Sequence, residues 1–215
     1  MIYTHKNILH LLIPSRDGKA MIQTYNYIMG VSQILRRTVA IHVGLGGNIC
    51  TSRWNTIVEA SEMHGSKDVF GLFCDDDLLV GRLVKEESLA RYILYAENEL
   101  YDKYQGSGVF GCVANYKRAD SNNVMCRVKN RDMSDEGYHD KANFMALTDS
   151  DLEEKEDLSY VDYSAIGFSY IHLPVGYKWW MQYDEGEDQK FYRDTRPKLY
   201  YMKDINLFHL KGELV

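Results

Sequence analysis

The sequence predicts an α/β fold: a Rossmann-type, mostly parallel sheet flanked by helices, followed by a more irregular C-terminal half. Two observations lead there. Apolar, β-branched runs alternate with helix-period segments through the first half of the chain, the pattern of strand–helix–strand units. The apolar runs also stop at turn residues or charges: Pro14 to Asp17, the glycines after residue 43, and Asp75-Asp76-Asp77. In parallel sheets ligands bind beyond the carboxyl ends of the strands, so these three segments are expected to converge on one crevice.

The elements follow in order. Asn7 to Ile13 reads as a buried strand closed by Pro14. Lys19 to Arg37 carries Ala20, Ile22, Tyr25, Ile28, Val31 and Leu35 at helical spacing, with Gly30 as a weak point. Thr38 to Val43 is β-branched and apolar, hence a strand, and Gly44-Leu45-Gly46-Gly47-Asn48 a turn. Thr51 or Ser52 is placed to cap a helix reaching about His64, with Trp54, Ile57, Val58 and Ser61 on one face. Asp68 to Cys74 is a third strand. Glu86 to Tyr104 is a helix with acids first and a stripe of Leu89, Ile93, Ala96 and Leu100. Gly108 to Ala114 and Tyr160 to Leu173, around Gly167, have strand character, as does Ile205 to His209. Asn130 to Ser159 is polar and acid-rich, a solvated loop, helix face or lid. No internal repeat or linker is present, so residues 1–215 form one domain.

Composition excludes several classes. With 45% hydrophobic and 26% charged residues in a chain of 215, the sequence is ordinary for a globular domain with a substantial core. A net charge of −6 argues against broad nucleic-acid binding. The four cysteines, 50, 74, 112 and 126, make no CxxC pair and so no zinc spacing. Cys74 and Cys112 lie in apolar runs and read as buried free thiols, which points to a reducing, cytoplasmic setting. The N-terminal apolar run is too short to span a membrane, and no signal-peptide pattern follows it.

Asp75-Asp76-Asp77 carries the strongest chemical signal. Three adjacent carboxylates repel one another unless a cation offsets them, and hard oxygen donors suit Mg²⁺ or Mn²⁺, which commonly leave room for substrate phosphates. The bland alternative is a turn of solvated acids. Arg53 and Asn55 open the second helix, where a guanidinium and a helix N-terminus favour an anionic diphosphate; a solvent-facing arginine is the alternative. Trp179 to Asp188 sets Gly186-Glu187-Asp188 after a tryptophan pair. A carboxylate beside an aromatic wall is suited to general-base work, while acids there also fit a helix N-terminus continued by Gln189 to Tyr192. His209 reads as a metal ligand or as a histidine satisfied by its own neighbours. Gly44-Leu45-Gly46-Gly47 imitates a dinucleotide fingerprint, but it follows the second strand and has Ile49 where a third glycine is needed, so a nicotinamide cofactor is rejected. GxxxxGK[ST], GxSxG and HExxH are all absent.

In register along the chain, Ile13-Pro14-Ser15-Arg16, Arg53-Trp54-Asn55, Phe73-Cys74-Asp75-Asp76-Asp77, Ala165-Ile166-Gly167-Phe168, Trp180 with Gly186-Glu187-Asp188, and His209 resemble the ordered motifs of glycosyltransferases of the GT-A fold. One departure is the acidic pair usual after strand two, replaced here by Val43-Gly44-Leu45-Gly46. The resemblance implies a nucleotide-binding half over about residues 1–105 and an acceptor half over about 106–215. It implies a metal-dependent enzyme that moves a sugar from a nucleotide-diphosphate sugar to a hydroxyl of a carbohydrate or glycoprotein acceptor. Ser15, Arg16, Arg53, Asn55, Asp75 and Asp76 would contact the donor. Asp75 would bind the ribose or the metal through water, Asp77 and His209 would hold Mn²⁺ or Mg²⁺, and Asp188, or Glu187 as second choice, would be the base of an inverting reaction. The competing readings are a nucleotidyltransferase of related architecture and a non-catalytic sugar- or protein-binding module.

Overall fold

The computed structural model describes residues 6–15, 22–45, 49–64, 68–114, 123–129, 144–148, 158–161, 163–174, 191–192 and 195–209. Its centre is a seven-stranded sheet in the order β2-β1-β3-β10-β5-β11-β8. These strands are β1 (Ile8–Ser15), β2 (Thr38–Leu45), β3 (Asp68–Cys74), β5 (Phe110–Ala114), β8 (Leu158–Val161), β10 (Phe168–Pro174) and β11 (Lys198–Met202). β2, β1, β3, β5 and β11 run one way; β10 and β8 run against them. The mixed α/β class and the dominant strand direction thus follow the sequence reading. Two smaller sheets pair β4 (Leu78–Val80) with β12 (Leu207–His209), and β6 (Asn123–Lys129) with β7 (Phe144–Thr148) and β9 (Tyr163–Ser164).

Both faces of the large sheet are covered, which is why its central strands are near-continuous apolar runs rather than alternating ones. Leu9, Leu11 and Ile13 of β1, with Phe70, Leu72 and Cys74 of β3, pack on one face against Tyr27, Ile28 and Val31 of α1 (Ile22–Leu35) and Leu89, Ile93 and Ala96 of α3 (Glu86–Tyr95) and the turn that follows it. Leu12, Phe73, Val113 and Ile171 point the other way, with Ile57 and Ala60 of α2 (Ile49–His64). The stripe Leu89, Ile93, Ala96 and Leu100 is wholly buried, as its spacing predicts. Cys74 and Cys112 are buried free thiols, and burial pushes both well above the ordinary cysteine range.

Several boundaries differ from expectation, each for a local reason. β1 runs through Pro14 to Ser15: it parts from β3 after Leu12, so Pro14 lies where one flank has no ladder left to break. Gly44 and Leu45 belong to β2 rather than to a turn. A Cβ on Gly44 would lie 1.9 Å from the Ser52 carbonyl oxygen, so the bare backbone lets α2 pack directly on the strand. α2 begins at Ile49, before the expected caps Thr51 and Ser52. Its inner face carries Arg53, Thr56, Ile57 and Ala60, while Trp54 and Val58 are only half-buried. In α1 the inward stripe includes Thr24 and Tyr27, and Ile22 is exposed. Gly167 is not a strand interior: the Tyr160–Leu173 run breaks into β8, β9 and β10, with Gly167 at the bend before β10. β7 lies within the segment read as a polar loop. Among the described residues no helix is long and apolar enough to cross a membrane.

The third helix holds a buried ion pair. α3 (Glu86–Tyr95) passes into a π-helical turn, Ala96–Leu100, before a last α-helical turn, α4 (Tyr101–Lys103). The π turn carries Glu97 into the interior, where it receives Arg37 Nη1 and Nη2 at 2.6 and 2.7 Å and the Tyr170 hydroxyl. Burial works against the Arg37 charge, but the bonds from Glu97 and Tyr170 outweigh it and raise its pKa.

His172 of β10 lies among rings, 4.6 Å from the Phe110 centroid at 19°, and its Nδ1 donates to the Gly108 carbonyl at 2.8 Å. Burial lowers its pKa below the ordinary 6.5, opposed by the Gly108 bond and the more distant Asp68 charge. Above 6.5 folded and unfolded chains both hold the ring neutral; as pH falls below 6.5 the unfolded chain binds the proton first, so stability declines down to the depressed folded pKa. We expect the urea midpoint to fall between neutral pH and about pH 5, with a shallower fall in His172→Phe; equal acid slopes would assign the loss to other groups.

Candidate functional site

Parallel strands β1, β2 and β3 end together, and the antiparallel β10 begins beside them, with Phe168 opposite Cys74. The aspartates therefore stand at the carboxyl end of the sheet, as their place in the sequence predicts. They do not lead into a long loop. Asp75 to Asp77 form a tight turn in which the Leu78 amide donates to the Asp75 carbonyl at 3.2 Å, and the chain enters β4 at once. Thr24 of α1 fixes that entry: its Oγ1 donates to the Leu78 carbonyl at 2.8 Å and accepts from the Val80 amide at 3.3 Å.

Each aspartate has a different setting. Asp75 lies against Arg53, whose Nη2 is 3.1 Å from both carboxylate oxygens; the arginine side chain is 3% exposed and the aspartate side chain 23%. Asp75 is also gripped through its backbone, its amide donating to the Gly167 carbonyl at 2.8 Å. Asp76 accepts the Ser15 hydroxyl at 2.7 Å; Ser15 is the buried last residue of β1. Asp77 immediately precedes β4, whose Leu78 is paired with His209 of β12. The antiparallel register thus sets the His209 backbone one residue from Asp77. Asn55 Nδ2 donates to the Leu45 carbonyl at 3.0 Å and fastens the end of β2 to α2.

The structure therefore pairs Ser15 with Asp76 and Arg53 with Asp75 on one turn, and carries Asp77 and the His209 backbone to the same turn. Asn55 lies two residues beyond Arg53 on α2, bonded to the last residue of β2. Arg16, Glu187 and Asp188 lie outside the described residues, as does the side chain of His209. Thr24 escapes the sequence reading, and Gly167 is read there only as the centre of a strand. Thr24 gave no signal, because a threonine in a helix pattern is unremarkable. Gly167 did give one, since an isolated glycine in an apolar run marks a close backbone approach.

The donor set is chemically suited to a hard divalent cation: carboxylates on one rigid turn, beside a backbone position that carries an imidazole. Among the described residues no group of three or more His, Cys, Asp or Glu side chains is arranged around a metal position. Arg53 offsets one of three negative charges. The Cys74 thiol beneath the turn is raised by burial first, then by the charges of Asp75, Asp76 and Asp77, so it stays protonated and inert.

No protein-family model matches the chain, and no curated protein is significantly similar to it.

Proposed function

We propose that the protein is a metal-dependent glycosyltransferase of GT-A type that uses a nucleotide-diphosphate sugar donor and a hydroxyl-bearing carbohydrate or glycoprotein acceptor. The observation that carries this reading is the aspartate turn at the carboxyl end of β3, with His209 paired one residue away from Asp77. Asp77 and His209 would hold Mn²⁺ or Mg²⁺, and Asp75 would face the donor ribose or the ion through water. A divalent cation there would offset the charge that grows on the leaving diphosphate. Ser15 orients Asp76 by hydrogen bond, and Asn55 holds the end of β2 at the crevice. Asp188, or Glu187, would take the proton from the acceptor hydroxyl if configuration inverts.

The test is a panel of nucleotide sugars incubated with Mn²⁺, Mg²⁺ or a chelator. Metal-dependent release of nucleoside diphosphate is the expected result. Release of inorganic diphosphate from a nucleoside triphosphate would instead mean nucleotidyl transfer, and metal-promoted binding without turnover on any donor would mean a binding module.

A further inference from the structure

We infer that Arg53 is a positioning residue that acts through Asp75, and that residue 167 is glycine to admit the Asp75 carboxylate; a direct contact of Arg53 with the donor diphosphate is not its role. It rests on the reading of the aspartate turn as a cation site, and it moves Arg53 from an anion to a carboxylate of that turn. Arg53 is on the buried face of α2 and gives one terminal nitrogen to both oxygens of Asp75 at 3.1 Å. A phosphate ligand has to present its guanidinium to solvent or substrate, and this side chain is 3% exposed. On its other side Asp75 rests on Gly167. A Cβ there would lie 2.3 Å from Asp75 Oδ2 and 2.9 Å from Cγ, so the carboxylate would have to move, and 3.3 Å from Leu78 Cδ1, a tight contact.

Four contacts therefore converge on one residue: Arg53 on the carboxylate, Gly167 beneath it, the Gly167 carbonyl on its amide, and the Leu78 amide on its carbonyl. They connect α2, the bend before β10 and the start of β4. A turn fixed from three elements presents its remaining aspartates in one geometry before any cation arrives, which lowers the ordering cost of binding. A charge-paired Asp75 also reduces the repulsion within the triplet.

The experiment has a metal-free arm and a metal arm. In divalent-free protein, amide hydrogen exchange at Asp75 and Leu78 reports the clamp. Arg53→Met and Gly167→Ala should each speed exchange there by about tenfold, the loss of roughly one hydrogen bond's worth of protection, while circular dichroism stays unchanged. Adding Arg53→Met to Asp75→Asn should have little further effect. Unchanged exchange in the single variants, or additive effects in the double, overturns the clamp. In the metal arm, Mn²⁺ titration and uridine diphosphate binding are measured on the wild type and the same four variants, Asp75→Asn included. Arg53→Met should weaken Mn²⁺ binding about tenfold and should not weaken diphosphate binding further once Asp75 is Asn. A further loss in that background would make Arg53 a direct phosphate contact. Wild-type protein that takes up no Mn²⁺ would defeat the cation reading, while the exchange data would still decide the clamp.

Discussion

Asp77→Ala should abolish the promotion of nucleoside diphosphate binding by Mn²⁺ or Mg²⁺. The turn holds Asp75 through Arg53 and Asp76 through Ser15, and Asp77 is the member next to the β4–β12 pair that carries His209. Removing a carboxylate that ligates the ion directly removes both charge and a coordination position, whereas loss of an orienting partner costs only about 10–100-fold in affinity. Calorimetry on wild type and variant, with and without metal, checks this. Wild type should bind the diphosphate far more tightly with metal, and the variant should bind equally in both conditions. The fold should survive, because Asp77 is half-buried in a turn and outside both packed faces of the sheet. Equal wild-type affinity with and without metal would remove the basis for the proposed chemistry.

The second large effect is on stability. Glu97→Ala should destabilise the protein by about 3–5 kcal/mol, the usual result of stripping one partner from a buried pair. Arg37 and Glu97 side chains are 4% and 0% exposed, so the abandoned guanidinium would remain inside without its carboxylate. Urea denaturation at neutral pH measures the loss. The control is the double substitution Arg37→Met with Glu97→Leu, which removes both charges and should regain much of the stability. A Glu97→Ala cost below roughly 1 kcal/mol, the range of exposed pairs, would mean that the pair is solvated in solution.

The same two regions show what a sequence can reveal. The aspartate cluster was legible because three carboxylates after an apolar run are chemically conspicuous, and strand ends are where parallel sheets place ligands. β1, β3 and the α3 stripe were legible because burial on both faces or on one face leaves a clear periodicity. β4, β6, β7 and β11 were not. β4 is only three residues long, and its pairing partner β12 lies far along the chain. Arg53 is conspicuous in sequence for its charge, but its burial and its pairing with Asp75 come from contacts that adjacency in sequence does not disclose. The break at Gly167 was missed for the same reason: the demand for a bare backbone comes from Asp75, brought there by pairing of β3 with β10.

One measurement bears most directly on the proposed centre: electron spin-echo modulation of Mn²⁺ added to the protein with a nucleoside diphosphate. Coordination by His209 requires a nitrogen coupling from imidazole that vanishes in His209→Gln while Mn²⁺ remains bound more weakly. An Mn²⁺ spectrum without imidazole nitrogen coupling, or one unchanged by His209→Gln, would contradict a cation held between the β3 tip and β12.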